Sequence, residues 1–156
     1  MKHFLFDMDD TLYKHPKDKK QMYNIHKNEK LIQLLNDCNY KKYIYTNATY
    51  SHANFILNKL GIDDYFQKIY SRDNIPEMKP NSQSAFDIEK DISKKYESNQ
   101  FYFFDDLLDN LKMGKKRHWV TIWIHPFYKH KDRYPFIDYS FPDIYSAVQY
   151  FNTYTI

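Results

Sequence analysis

The sequence predicts an α/β fold, in which a mostly parallel sheet of about five strands is flanked by helices. Short apolar runs alternate along the chain with amphipathic segments, a pattern typical of strands joined by right-handed helical crossovers. The length of 156 residues fits one domain, 1–156. No repeat or flexible linker marks a boundary inside it.

The first half of the chain contains two predicted strands and two predicted helices. Residues 4–6 and 42–46 are apolar runs that predict buried strands. Apolar residues recur at helical spacing over 22–37, which predicts an amphipathic helix between these strands. A second helix begins near Thr49 and ends at Gly61, because glycine readily takes the positive φ that ends a helix. The apolar positions of the first helix are Met22, Ile25, Leu31, Ile32, Leu34, Leu35 and Cys38.

The second half continues the alternation. Residues 66–70 predict a third strand, and Asn81 is a typical N-cap for the helix that follows it. Residues 100–104 predict a fourth strand, and a short helix over 107–113 is expected to end at Gly114. The inner face of the helix after Asn81 is expected to carry Ala85, Phe86, Ile88 and Ile92.

The last part of the chain adds a fifth strand over 118–124, a short strand-like piece over 136–141 and a helix over 143–151. A sheet of this kind with helices on both faces is Rossmann-like. Ligands bind such sheets beyond the carboxyl ends of the strands. The functional residues are therefore sought at that edge.

Composition excludes several classes of protein. Aromatic residues make up 19% of the chain, which favours a globular protein over a disordered one. No apolar run approaches the length of a membrane span. The single cysteine, Cys38, excludes an internal disulfide and is expected to be buried. Because the first strand begins almost at Met1, we expect no signal peptide and a cytoplasmic location. The net charge of +3 predicts only mild electrostatic steering.

Polar side chains stand where the predicted strands and loops end. Each group has an ordinary explanation when taken alone: an Asp-rich turn, acids at a helix N-terminus, or a solvated surface lysine. Their joint order favours phosphoryl transfer, which needs a carboxylate nucleophile, a second carboxyl for the leaving group's proton, and oxygen ligands for a hard cation. In order, the groups are Asp7 with Asp9 and Thr11, Thr46 with Asn47, Lys79, and Asp105-Asp106 with Asn110.

These groups match the four motifs of the haloacid dehalogenase superfamily of phosphatases, which the sequence resembles over nearly its whole length. The resemblance implies an aspartyl-phosphate on Asp7 and a general acid and base at Asp9. Superfamily members that act on carbon–halogen bonds or pump ions lack the acid at this second position. Its presence favours phosphatase chemistry.

The resemblance also implies a Mg²⁺ site and a phosphate site. Asp7, the backbone carbonyl of Asp9 and Asp106 are the expected metal ligands, with Asp105 and Asn110 orienting the metal-bound waters. Many relatives carry aspartate at the Asn110 position, and asparagine belongs to the double-aspartate variant of this motif. Thr46, Asn47 and Lys79 are the residues expected to hold the phosphoryl oxygens, with Lys79 also offsetting the charge of Asp7.

Motif spacing bears on the substrate. The intervals between motifs fit only the core elements, so we expect no cap domain. Asp7 to Tyr13 and the double-aspartate motif are most similar to the pyrimidine 5'-nucleotidase branch, whose members normally carry a helical cap. A nucleotide or other phosphorylated metabolite is the expected substrate. A polynucleotide end or a phosphoprotein, and a non-catalytic module that binds a phosphorylated ligand, remain alternatives.

Two loops and the histidines complete the predictions. The basic stretches at 14–20 and 125–133 follow strands and are expected near the catalytic edge, either as a rim for nucleotides or nucleic-acid ends or as solvated loops. The seven histidines form no paired His/Cys motif and are expected at the surface or in loops. Oligomeric state is left open.

Overall fold

The computed structural model describes residues 1–154, so the last two residues of the expected 1–156 domain lie outside the described residues. Six strands form one parallel sheet, which confirms the predicted fold class and adds one strand to the expected count. The strands are β1 (Lys2–Phe6), β2 (Lys41–Tyr45), β3 (Ile69–Tyr70), β4 (Gln100–Asp105), β5 (Val120–Ile124) and β6 (Tyr139–Phe141). Their order across the sheet is β3-β2-β1-β4-β5-β6.

Helices cover both faces of the sheet. They are α1 (Glu29–Asn36), α2 (Tyr50–Leu60), α3 (Ser82–Ser93), α4 (Leu108–Lys116) and α5 (Ile144–Thr153). Successive side chains of β1 alternate between the faces. Phe4 and Phe6 pack with α1, α2 and α5, whereas Leu5 packs with α3 and α4. The result is two cores separated by the sheet, and within residues 1–154 there is no separate cap domain.

The first helix is shorter than its apolar pattern predicts. Asn28 caps α1 by accepting a hydrogen bond from the Leu31 backbone N–H at 3.1 Å, so the helix begins at Glu29 rather than near Met22. Residues 19–24 form a separate 3₁₀ turn capped by Asp18. Two side-chain caps therefore divide a segment whose periodicity suggested one helix.

The two glycines behave differently. Gly61 ends α2 with φ of +75°, as predicted. Gly114 does not end α4, which continues to Lys116. A Cβ at Gly114 would lie 3.0 Å from the Phe103 side chain, so glycine permits the close approach of α4 to the sheet.

Three smaller predictions are also corrected. Phe86 does not face the core, because 45% of it is exposed, whereas Ala85, Ile88 and Ile92 are buried as expected. Strand β3 contains two residues rather than five. His3 lies fully buried within β1, contrary to the prediction that the histidines occupy the surface or loops.

Cys38 is buried, as predicted. Among residues 1–154, every helix is too short or too polar to traverse a lipid bilayer. The topology also fixes where function is to be sought. Strands β2, β1 and β4 are adjacent and parallel at the centre of the sheet, so their carboxyl ends meet at one edge.

Candidate active site

The candidate site begins where the three central strands end. Asp7 follows β1, and its backbone N–H donates to the Phe104 carbonyl on β4 at 2.9 Å. Thr46 follows β2 and is tied in the same way to Tyr70 of β3, also at 2.9 Å. Asp105 is the last residue of β4. Backbone hydrogen bonds of the sheet thus hold the predicted residues close together.

Lys79 occupies the middle of this group. Its side chain is 1% exposed, and Nζ donates to Asp7 Oδ1 at 2.8 Å, to Asp105 Oδ2 at 2.9 Å and to the Tyr45 carbonyl at 2.8 Å. Burial alone would lower the pKa of Lys79, but Asp105 and Asp7 together outweigh it and raise that pKa. The ammonium is therefore charged and fixed against Asp7.

Asn47 positions Lys79. Its side-chain amide accepts from the Lys79 backbone N–H at 2.9 Å and donates to the Lys79 carbonyl at 3.0 Å. These two bonds tie the Lys79 loop to the end of β2. The Thr46 hydroxyl accepts from the Ala48 backbone N–H at 3.1 Å. The side chain of Asn47 is thus engaged by the Lys79 backbone.

Three carboxylates meet beside Lys79. Asp7, Asp105 and Asp106 each offer an oxygen, and these atoms lie within 4.8 Å of one another. Burial, followed by repulsion from Asp105 and Asp7, raises the pKa of Asp106 to about 8. Burial, followed by repulsion from Asp7, also raises the pKa of Asp105, against the opposing effect of Lys79.

This excess of buried negative charge suits a divalent cation. A set of carboxylate oxygens is the donor chemistry that Mg²⁺ prefers. Asp105 Oδ2 accepts from the Asn110 amide at 3.1 Å, and Asp105 Oδ1 accepts from the Leu107 backbone N–H at 2.9 Å. The Asp106 carbonyl accepts from the Trp123 indole at 3.0 Å. Asp105 is thus fully engaged by the protein, as expected for a residue that orients the metal environment.

Thr11 links the carboxylates of the first and fourth motifs. Its hydroxyl lies 3.0 Å from Asp7 Oδ2 and 3.3 Å from Asp106 Oδ1. Thr11 therefore contacts both Asp7 and Asp106, and it is buried.

Asp9 stands apart from the three carboxylates and has its own partners. The Tyr13 hydroxyl and His52 Nε2 both contact Asp9 Oδ1, the latter at 3.2 Å. Burial and the hydrogen bond to Asp9 raise the pKa of Tyr13, so its hydroxyl remains a donor. Sequence reasoning missed the contacts of Tyr13 and His52 with Asp9, because His52 lies on α2 and belongs to none of the recognised motifs.

An aromatic and basic cavity of about 710 Å³ adjoins the site. Asn47, Lys79 and Asp106 form the wall of the cavity next to the candidate site. The Trp123 and His125 rings stack at 4.9 Å with an interplanar angle of 13°. The far wall comes from the loop after β5, through His125, Phe127, His130, Arg133 and Tyr134.

The other basic loop, at 14–20, also reaches this edge of the sheet through Lys14. A neighbouring cavity of about 550 Å³ includes Lys14 and shares Asp106 and His125 with the first. Both basic loops therefore border the catalytic edge, as their position after strands predicts. Within the stretch 125–133, His125, Phe127, His130 and Arg133 line the first cavity, whereas Lys129 and Lys131 do not.

A doubly wound parallel sheet with an aspartate after β1, a buried lysine and paired aspartates at the end of β4 defines a class of α/β hydrolases built on a carboxylate cluster. Residues 10–124 match the family model described as haloacid dehalogenase-like hydrolase. The chain belongs to this family of enzymes. The resemblance inferred from the motifs is confirmed at the family level.

Solved structures show the same fold. The chain resembles YfnB from Bacillus subtilis, a candidate hydrolase of this family solved with magnesium, at 12% identity and a TM-score of 0.70, covering 97% of this chain and 98% of that one. It also resembles L-2-haloacid dehalogenase from Xanthobacter autotrophicus at 10% identity and a TM-score of 0.69, covering 94% and 96%.

A third similar structure is the core domain of a candidate phosphoglycolate phosphatase from Streptococcus pneumoniae. It shares 18% identity and a TM-score of 0.61, covering 97% of this chain and 96% of that one. No curated protein matches the sequence significantly. At these identities the structural matches establish the fold, and the reaction has to be argued from the site.

Proposed function

We propose that this chain is a Mg²⁺-dependent phosphomonoester hydrolase that acts through an aspartyl-phosphate on Asp7. One observation carries the proposal: a buried Lys79 joins Asp7 to Asp105, while Asp106 completes a group of three carboxylates. The arrangement provides a fixed nucleophile, a positive charge for the phosphoryl group and oxygen ligands for a hard cation. The magnesium-bound relative YfnB supports the choice of ion.

The roles proposed for these residues describe a two-step reaction. Asp7 attacks phosphorus, the bond from phosphorus to the ester oxygen breaks, and Asp9 donates a proton to the departing alcohol. Water then attacks phosphorus of the acyl phosphate, Asp9 accepts a proton from it, and phosphate leaves as Asp7 is regenerated.

The protein stabilises the charge that moves during both steps. We expect the Thr46 hydroxyl and the Asn47 amide to hold the phosphoryl oxygens, with the positive charge of Lys79 beside Asp7 offsetting the phosphoryl charge. Mg²⁺ held by Asp7, the Asp9 carbonyl and Asp106 would neutralise negative charge on the phosphoryl group.

Asp9 favours a phosphatase over a dehalogenase. A halide leaves as a stable anion and needs no proton, whereas an alkoxide leaving group does. In this chain Tyr13 and His52 hold Asp9 Oδ1, and we expect the Asp9 carboxyl to exchange a proton with substrate. The similar dehalogenase structure shares the fold, and the acid distinguishes the proposed chemistry.

The cavity beside the site supports a nucleotide or another phosphorylated metabolite with a flat ring. Phe127 is 64% exposed next to His130 and Arg133, and aromatic and guanidinium groups of this kind stack on bases. The cavity is open, so a polynucleotide end is the second candidate. Its support is the second cavity, which carries Lys14 and shares Asp106 and His125 with the first.

Phosphate release in the presence of Mg²⁺ or EDTA tests the proposal. The substrates are p-nitrophenyl phosphate, nucleoside monophosphates, 5'-phosphorylated oligonucleotides and phosphopeptides, and chloride release from 2-chloropropionate is measured in parallel. We expect Mg²⁺-dependent phosphate release that is absent in a folded Asp7→Asn variant. Chloride release would identify a dehalogenase, and binding of phosphate esters without turnover would identify a binding module.

A further inference from the structure

A second group of potential metal ligands lies on the rim of the site. Asp9, His15 and His52 each offer one ligand atom, and these atoms lie within 4.8 Å of one another. All three residues are partly buried. The group contains two imidazoles, whereas the neighbouring cluster of Asp7, Asp105 and Asp106 contains only carboxylates.

The histidine after β1 is fixed with a nitrogen free for a ligand. The His15 backbone N–H donates to Asp10 Oδ1 at 2.9 Å, which closes the loop around residues 10–15. His15 Nδ1 lies 2.8 Å from the Pro16 carbonyl, which can only accept, so Nδ1 carries the proton. In the neutral ring Nε2 then holds the lone pair, as in metal-bound histidines whose other nitrogen donates to a carbonyl.

The other two groups are equally constrained. His52 stands in the first turn of α2, where its backbone N–H donates to the Thr49 side chain at 3.2 Å. Its Nε2 is 3.2 Å from Asp9 Oδ1, and its ring centroid is 5.9 Å from that of His15. The Tyr13 hydroxyl donates to the same oxygen of Asp9. A metal ion entering here would replace the proton between His52 and Asp9.

We propose that Asp9, His15 and His52 form an inhibitory site for a borderline divalent transition ion, with Zn²⁺ as the representative ligand. Two imidazole nitrogens and one carboxylate oxygen suit tetrahedral Zn²⁺, with water in the fourth position. Mg²⁺ prefers oxygen ligands and would not compete for the imidazoles. A zinc ion bound here would occupy the Asp9 carboxylate and block its proton transfer. The inhibitory effect therefore rests on the proton-transfer role proposed above, whereas zinc binding itself does not.

Zinc binding is tested on the whole protein by isothermal titration in saturating Mg²⁺, and Co²⁺ absorption reports tetrahedral coordination. We expect His15→Gln and His52→Gln each to weaken zinc binding by at least about tenfold, since loss of even an outer-shell partner costs about 10- to 100-fold. The control variants are His26→Gln, an exposed histidine outside the group, and Asp106→Asn, which alters the carboxylate cluster. Both should retain rim binding and the tetrahedral Co²⁺ spectrum.

Unchanged zinc affinity in both His15→Gln and His52→Gln would overturn the site, as would loss of binding in Asp106→Asn alone. Circular dichroism confirms that each variant is folded. Activity provides a separate readout: zinc should inhibit phosphate release reversibly in the natural sequence and much less in His15→Gln. Zinc bound at the rim with full activity would refute the inhibitory role and leave the phosphatase proposal intact.

Discussion

Replacing Lys79 with methionine tests the charge arrangement of the site. Methionine approximates the volume of the lysine stem but removes the ammonium that donates to Asp7, Asp105 and the Tyr45 carbonyl. Two buried carboxylates would then face each other without a positive partner. The variant should therefore be much less stable as well as inactive.

The size of the effect follows from burial. Removing one partner of a buried ion pair costs about 3–5 kcal/mol, because the remaining charge has no compensation. For a domain of this length each kcal/mol lowers Tm by about 2–4 °C, so Tm should fall by about 6–20 °C. The deficit should shrink in mildly acidic solution, because burial and repulsion from Asp7 raise the pKa of Asp105, and protonation of Asp105 removes the repulsion between the two groups.

Urea denaturation near neutral pH measures the loss, with Lys68→Met as the matched control. Lys68 pairs with Asp91 at 2.8 Å, but their side chains are 46% and 33% exposed. A surface pair of this kind contributes about 0–1 kcal/mol. A loss in Lys79→Met no larger than that of the control would refute the assignment of Lys79 as the buried counter-ion of the site.

Three further predictions follow from the same geometry. Asp9→Asn should reduce kcat on alkyl phosphates by about 10²- to 10⁴-fold. The loss should be smaller on p-nitrophenyl phosphate, because its leaving group needs little protonation. Equal losses on both substrates would contradict the role of Asp9 as general acid. Burial and repulsion raise the pKa of Asp106 to about 8 in the folded protein, above its unfolded value near 3.8. Without metal, the stability that the protonated Asp106 carboxyl contributes is therefore fully present below about pH 3.8 and is lost as the pH rises through about 8. Magnesium should thus raise Tm more at about pH 9 than at about pH 6, and a shift independent of pH would count against this explanation. Gly114→Ala should destabilise the fold in urea titrations. Overpacking against Phe103 costs about 1–3 kcal/mol, which outweighs a gain of about 1 kcal/mol in helix propensity. A more stable variant would contradict this role of Gly114.

Local signals explain which parts of the fold could be predicted. Gly61, Asn81 and the apolar strands act through backbone conformation, capping and burial, which are properties of a few neighbouring residues. Gly114 failed as a helix end because its role depends on Phe103 of a neighbouring strand. The helix predicted from Met22 failed because Asn28 supplies a later cap.

The candidate site also combines features that the sequence could predict with contacts that depend on tertiary packing. The order of the motifs, combined with a parallel sheet, predicted that Asp7, Lys79 and Asp105 would meet, and their contacts confirm it. The histidine contacts could not be predicted, because His15 and His52 belong to different elements and meet only through tertiary packing. The roles of the assembled residues remain predictions that turnover has to test.

Direct detection of a phosphoryl group on Asp7 tests the central claim. The protein is mixed with Mg²⁺ and a turned-over phosphomonoester, quenched in acid within the first turnover, and mapped by peptide mass spectrometry. We expect a phosphoryl adduct on the peptide that contains Asp7, which hydroxylamine removes and Asp7→Asn abolishes. Phosphate release with the adduct on another residue, or undiminished release by Asp7→Asn, would contradict it.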